Sequence, residues 1–203
     1  MSEQPTAPLG LDRQHTALLV MDFQQTVVAT ALEKRPDILD KTAAVIAAAR
    51  AAGLPVIYIV VQFRDGYPEV SPRNKSFSTL RQSGRLLAGS PQAAIHPQVA
   101  PRPEDVVLAK VRVGAFSTTP LETILRAHEV TSLILCGIAT SGVVLSTVRA
   151  AADADYDLVV VEDCCADSDD EVHRVLVEKL FPRQARVVQS SAVITDLTQQ
   201  SGQ

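Results

Sequence analysis

Two oppositely charged side chains in this sequence each stand directly behind an apolar run. Asp22 closes the run in LLVMDFQQ, and Lys110 closes the run in VVLAKVRVGAF. An acid that follows apolar residues in this way belongs at the carboxyl end of a buried strand, where open α/β sheets put their ligands. Burial there should raise the carboxyl pKa and fit it for general acid or base work. The plainer alternative is a helix or loop cap. A lysine emerging from the same kind of run calls for an acidic partner, because an unpaired buried ammonium is expensive; otherwise its stem carries the charge out to the surface. A third segment, Gly137-Ile138-Ala139-Thr140-Ser141-Gly142-Val143, leads from a strand into a helix through small residues. It should leave free amide N–H groups at a helix N-terminus, which suit an oxyanion or a carboxylate. Every doubly wound sheet has such turns, so this signal is weak alone.

The elements that must position these residues follow from apolar patterning. Thr16–Met21, Pro55–Val61, Val106–Ala109, Ser132–Cys136, Leu158–Val161 and Ala185–Val188 read as six strands, and their solid apolar character is that of parallel strands covered on both faces. Helical patterns lie between them. Leu39, Ala43, Ile46 and Ala49 share one stripe, and Gly53-Leu54-Pro55 ends that helix. Thr119-Pro120-Leu121-Glu122 reads as a capping box with proline at the first helical position. Ser168-Asp169-Asp170-Glu171 reads as a second box, with Val172, Val175, Leu176 and Leu180 behind it. Thr140 to Ala152 is an alanine- and valine-rich helix. This alternation predicts an open α/β fold with a mostly parallel sheet. Residues 62–104 break it with a long Pro-, Ser-, Gly- and Arg-rich insertion, inside which a short helix is expected around Leu80–Leu87; long insertions at strand ends form binding loops or subunit contacts.

The chain has 203 residues, 46% hydrophobic and 21% charged, with a net charge of −4. One globular domain, 1–203, is expected from that length. The acidic balance argues against nucleic-acid or anionic-membrane binding. No apolar run approaches the roughly 18 residues of a membrane span, and the N-terminus lacks the pattern of a signal peptide. Three cysteines, two of them adjacent (Cys164 and Cys165), cannot make a disulfide framework. A cytoplasmic protein is expected. The histidines at 15, 96, 128 and 173 have no ligand-like spacing and no nucleotide motif occurs, so neither metal nor cofactor is expected.

Taken together, ALLVMDFQ around Asp22, LAKVRVGAFSTTPLETIL around Lys110 and LILCGIATSGVVLSTVRAA after the fourth strand resemble the isochorismatase-like hydrolase superfamily. VVVEDCCAD followed by His173 is similar to that family's fifth-strand region. The resemblance spans about Leu18 to Val188. It implies a three-layer α/β/α sandwich around a six-stranded, mostly parallel sheet, in a homo-oligomer (dimer or tetramer). Cysteine members use an Asp–Lys–Cys triad, and the peptide matching Ile138–Ala139 is often cis. Their thiol stands six residues after the motif glycine, which here is Val143, and a valine cannot attack a carbonyl. Isochorismatase proper also lacks that cysteine, and its Asp protonates a vinyl ether. The aromatic and histidine of its turn are replaced here by Ala139-Thr140-Ser141. The nicotinamidase Asp-x-His metal pair is absent from VVQFRDGYPEVSPRN.

The leading expectation is therefore a hydrolase for a small organic substrate, with Asp22 as general acid or base and Lys110 assisting, within salt-bridge reach of each other near the 138–140 turn. Phe23, Phe116, Ile138, Ala139, Thr140 and Val143 are expected to line the substrate site, and Arg64, Arg73 or Arg81 are candidates for a substrate carboxylate. Cys136, Cys164 and Cys165 read as structural. The alternative is a ligand-binding or assembly protein that kept the fold and lost its nucleophile.

Overall fold

The computed structural model describes residues 9–199. Six parallel strands form one sheet: β1 (Thr16–Met21), β2 (Val56–Val61), β3 (Val106–Lys110), β4 (Ser132–Ile138), β5 (Asp157–Ala166) and β6 (Arg186–Val188). Their order is β3-β2-β1-β4-β5-β6. The chain moves outward from β1 to β3 and then restarts on the other side of β1 with β4. This reversal opens a crevice at the carboxyl ends of β1 and β4, which is where open α/β sheets bind ligands. Asp22 and the 138–140 turn both fall there.

Alternate residues of each strand feed two cores. Leu18, Val20, Tyr58, Ile134, Cys136, Val159 and Val161 face α2 (Ile38–Ala51) and α7 (Ser190–Gln199). Ala17, Leu19, Met21, Ile57, Ile59, Leu133, Leu135 and Val160 face α4 (Leu121–Ala127) and α5 (Leu145–Asp153). The helices bring the apolar stripes that their sequences show. In α2, Leu39, Val45, Ile46 and Ala49 are buried, and Gly53 ends the helix at φ +78°. Among the described residues, no helix is long and apolar enough to cross a membrane.

Several boundaries depart from the sequence reading, each for a physical reason. β3 lies at the edge of the sheet and is covered unevenly: Leu108 and Lys110 are buried, but Val107 is 47% exposed. β5 runs past Val161 to Ala166, and its pairing with β4 shifts register between Leu135 and Gly137. The polar Glu162-Asp163 in that irregular stretch does not end the strand. Asp163 instead accepts bonds from the Ser190 N–H (2.7 Å) and hydroxyl (2.8 Å), capping α7. The insertion helix α3 spans Lys75–Ser83 rather than Leu80–Leu87. Asn74 caps its start through the Phe77 N–H, and Gly84 ends it at φ +66°. Phe77 then packs with Val61, Phe63, Tyr67, Val70 and Leu86 as a third cluster over the end of β2.

Pro120 sits one position before α4, outside the first turn. The cap of α6 (Asp170–Val175) is Asp169, not Ser168, and it accepts from the Glu171 and Val172 N–H groups. Val172 and Val175 lie on its exposed side, at 39% and 37%, while Leu176 is buried. The helix expected from Thr140 opens with a π-helical turn, Thr140–Val144, before α5 begins. His128 closes α4.

Gly137 shows how tightly β4 meets that turn. A Cβ there would lie 2.9 Å from Val144 Cγ2 and 3.2 Å from Met21 Cβ. Both neighbours are buried, so neither can yield freely. Gly137→Ala is expected to cost about 1–3 kcal/mol, read as a lower urea midpoint; an unchanged midpoint would contradict this packing.

Candidate active site

Asp22 follows β1 directly, and its N–H donates to the Ile59 carbonyl at 2.7 Å, extending the β1–β2 ladder by one rung. Its φ is +59°, a conformation that Asp tolerates better than most residues and that clusters at working sites. Lys110 ends β3 opposite Val61. Because β2 lies between β1 and β3, the two side chains start about two strand spacings apart, roughly 10 Å. The long lysine stem crosses that gap over the end of β2. Its Nζ lies 2.8 Å from Asp22 Oδ2 and donates to the Arg112 carbonyl at 3.2 Å. Asp22 and Lys110 are 6% and 2% exposed. Asp22 Oδ1 is also buried and reaches no protein hydrogen-bond partner among the described residues. Burial pushes the Asp22 carboxyl up to about 6, outweighing the opposing pull of Lys110.

Next to this pair lies the turn after β4. Met21 pairs with Gly137, which brings Ile138 abreast of Asp22, and the Ile138–Ala139 peptide is cis. Part of the expected row of free amides is taken up within the turn. The Ser141 N–H donates to Asp167 Oδ2 at 2.7 Å, and those of Gly142 and Val144 donate to the Ala139 carbonyl. The sequence alone puts Asp167 well downstream; the fold returns it to the turn. Hydrogen bonds from Ser141 and the neighbouring backbone outweigh the effect of burial and hold its carboxyl below the usual range. Thr140 Oγ1 lies 2.8 Å from His173 Nδ1.

Of the other expected lining residues, Ile138 and Phe23 are buried in the first core and Val143 in the second. Ala139 is half-buried. Phe116 is not brought to the site. Its ring packs 6.1 Å from that of Tyr156, immediately before β5, at the amino-terminal edge of the sheet. Gln24 was missed. Its fully buried side chain donates to the Val61 and Ala93 carbonyls (2.9 and 2.8 Å) and accepts from the Val61 N–H (2.9 Å), joining β2 and the insertion to the strand-one turn. Only spatial neighbours give a loop glutamine this role, so sequence offered no signal. Arg64, with an 80% exposed side chain, pairs with Glu69 at 2.6 Å. Arg73 and Arg81 are exposed, and Arg81 borders a groove of about 320 Å³ with Val70, Pro72, Ser78 and Gln82. Among the described residues no group of three or more His, Cys, Asp or Glu could hold a metal ion.

A family profile for the isochorismatase domain matches residues 16–192. The chain belongs to the isochorismatase family. Ureidoacrylate amidohydrolase RutB of Methylobacterium radiotolerans is 31% identical over 85% of this chain and 76% of its own. The isochorismatase family protein YecD of Escherichia coli O157:H7 is 30% identical over 88% and 94%. In structure, a cysteine hydrolase from Pseudomonas syringae pv. phaseolicola covers 98% of this chain and 99% of its own, with a TM-score of 0.86 at 24% identity.

This isochorismatase-family chain has three free cysteines among its described residues, Cys136, Cys164 and Cys165, all fully buried. Burial pushes the Cys136 and Cys165 thiols up, away from thiolate chemistry. Burial and Arg35 hold the His173 imidazole down to about 4. Two opposed linkages follow. As pH rises from the ordinary carboxylate range to about 6, Asp22 weakens the fold, because the unfolded chain releases that proton first. As pH falls from about 6.5 to about 4, His173 weakens it, because the unfolded chain takes up a proton first. The two oppose each other over one window. Asp22→Asn removes one of them, so stability relative to wild type should rise between pH 4 and 6 by about 3 kcal/mol. Urea midpoints of both proteins across that range test this; a constant difference would remove the raised pKa.

Proposed function

We propose that this isochorismatase-family enzyme hydrolyses a small organic substrate by proton transfer from Asp22, with no thiol nucleophile at position 143. One observation carries the reading: Lys110 pairs with Asp22 through Oδ2, while buried Oδ1 reaches no hydrogen-bond partner among the described residues and the carboxyl sits at about 6. A carboxyl with that value carries a proton in about a tenth of molecules at pH 7 and releases it readily. Lys110 fixes the carboxyl's orientation and stabilises the carboxylate formed once the proton has gone to the substrate. Water then adds to the activated carbon and returns a proton to Asp22; the adduct collapses to a carbonyl as its C–N or C–O bond breaks and its hydroxyl proton passes to the leaving group, so one water is consumed and the enzyme is regenerated. Val143 lies in the apolar core at 2% exposure and offers no group for an acyl intermediate.

The same valine supports a second reading, a ligand-binding protein that has lost turnover. Two buried opposite charges argue against it, since without a duty they could be replaced by packed apolar residues at little cost. Ureido and carbamoyl amides, suggested by the ureidoacrylate amidohydrolase relative, and vinyl ethers are the first substrates to screen.

Turnover is expected to fall about tenfold per pH unit above roughly pH 6, as the acid form of Asp22 is lost. Asp22→Asn should lower kcat by about 10²-fold or more, and iodoacetamide should leave the wild type active. Turnover that survives Asp22→Asn would remove the mechanism, and no turnover on any screened class would favour the binding protein.

A further inference from the structure

The proposed chemistry leaves one buried titratable side chain unused. His173, on α6, is 2% exposed. Its Nδ1 is 2.8 Å from Thr140 Oγ1, while Nε2 is buried and meets no protein hydrogen-bond partner among the described residues. A ring that merely filled space would be better replaced by an apolar one, because an unsatisfied buried nitrogen costs free energy. Its bond partner suggests what it does instead. Thr140 opens the turn that begins beside Asp22, and the next residue, Ser141, is held through its N–H by Asp167. The segment from the end of β5 into α6 thus grips two successive residues of the turn from behind.

The charged groups around His173 come from three places. Arg35, in the link between α1 (Gln25–Leu32) and α2, opposes protonation of the ring; Asp167 and Asp170 favour it. Lys34 draws Asp170 into an ion pair at 3.3 Å and donates to the Ser168 carbonyl at 2.7 Å. Burial and Arg35 prevail, and the ring stays neutral.

We propose that His173 is a positioning residue for the β4–α5 turn: as a neutral imidazole it fixes the Thr140 hydroxyl through Nδ1, and the turn so fixed keeps water away from the Asp22 carboxyl. This rests on the reading of Asp22 as the proton-bearing group, but its test needs no turnover. The Asp22 carboxyl is titrated by ¹³C NMR in the full chain, in wild type and variants, with urea midpoints measured alongside.

An asparagine amide reaches about as far as Nδ1, whereas a glutamine amide reaches Nε2. His173→Asn should therefore keep the Asp22 midpoint near 6. His173→Gln and His173→Leu should let water in and lower it by one pH unit or more, with His173→Leu no less stable to urea. Thr140→Val, nearly isosteric, should reproduce the drop with His173 in place, which guards against a misfolded histidine variant. The proposal is overturned if His173→Leu and Thr140→Val keep the wild-type midpoint, if Gln substitutes as well as Asn, or if stability falls while the titration stays unchanged. A wild-type Asp22 that already titrates in the ordinary carboxylate range would overturn the general-acid reading as well.

Discussion

A carboxylate and an ammonium withdrawn from water together set the terms for this molecule. Asp22 and Lys110 meet at 2.8 Å with almost no exposure. Their mutual attraction must offset a desolvation cost of several kcal/mol per ion, and breaking such a pair from one side leaves an uncompensated buried charge. A compact sheet can hold the pair only where strand ends converge, because ladder bonds there have run out and polar groups can turn inward. The restart of the sheet at β4, beside β1, provides that place. The strands are buried deeply enough that a carboxyl placed there resists ionisation despite its lysine.

The surrounding structure holds that arrangement from two directions. On the β2 side, Gln24 bonds to both the N–H and the C=O of Val61 and to the Ala93 carbonyl, and the 93–96 segment pairs back onto residues 23–25. The long insertion is therefore stitched to the turn that carries Asp22, and its aromatic cluster of Phe63, Tyr67 and Phe77 roofs the end of β2. On the β5 side, Asp167 and His173 hold Ser141 and Thr140. Cys136, Cys164 and Cys165 are all buried, and the proton transfer proposed for Asp22 calls on none of them.

The sequence alone determined the fold class and the central pair. Parallel strands buried on both faces must be continuously apolar, so the runs leading to Asp22 and Lys110 could be read directly, and the charge ending each run needed the other. The edge strand β3, the polar stretch inside β5 and the start of α3 escaped that logic. Their character depends on β3's place at the sheet edge, on the cap that Asp163 gives α7 and on the Asn74 cap. Only the tertiary structure decided that Phe116 packs away from the crevice, that Gln24 ties the insertion down, and that Asp167 takes an amide expected to be free. It alone brought His173 to Thr140, 33 residues away along the chain. Strand and helix periodicity is a local property, set by the burial of neighbouring residues. Hydrogen-bond partnership between loops depends on where the sheet delivers them, and no local pattern records it.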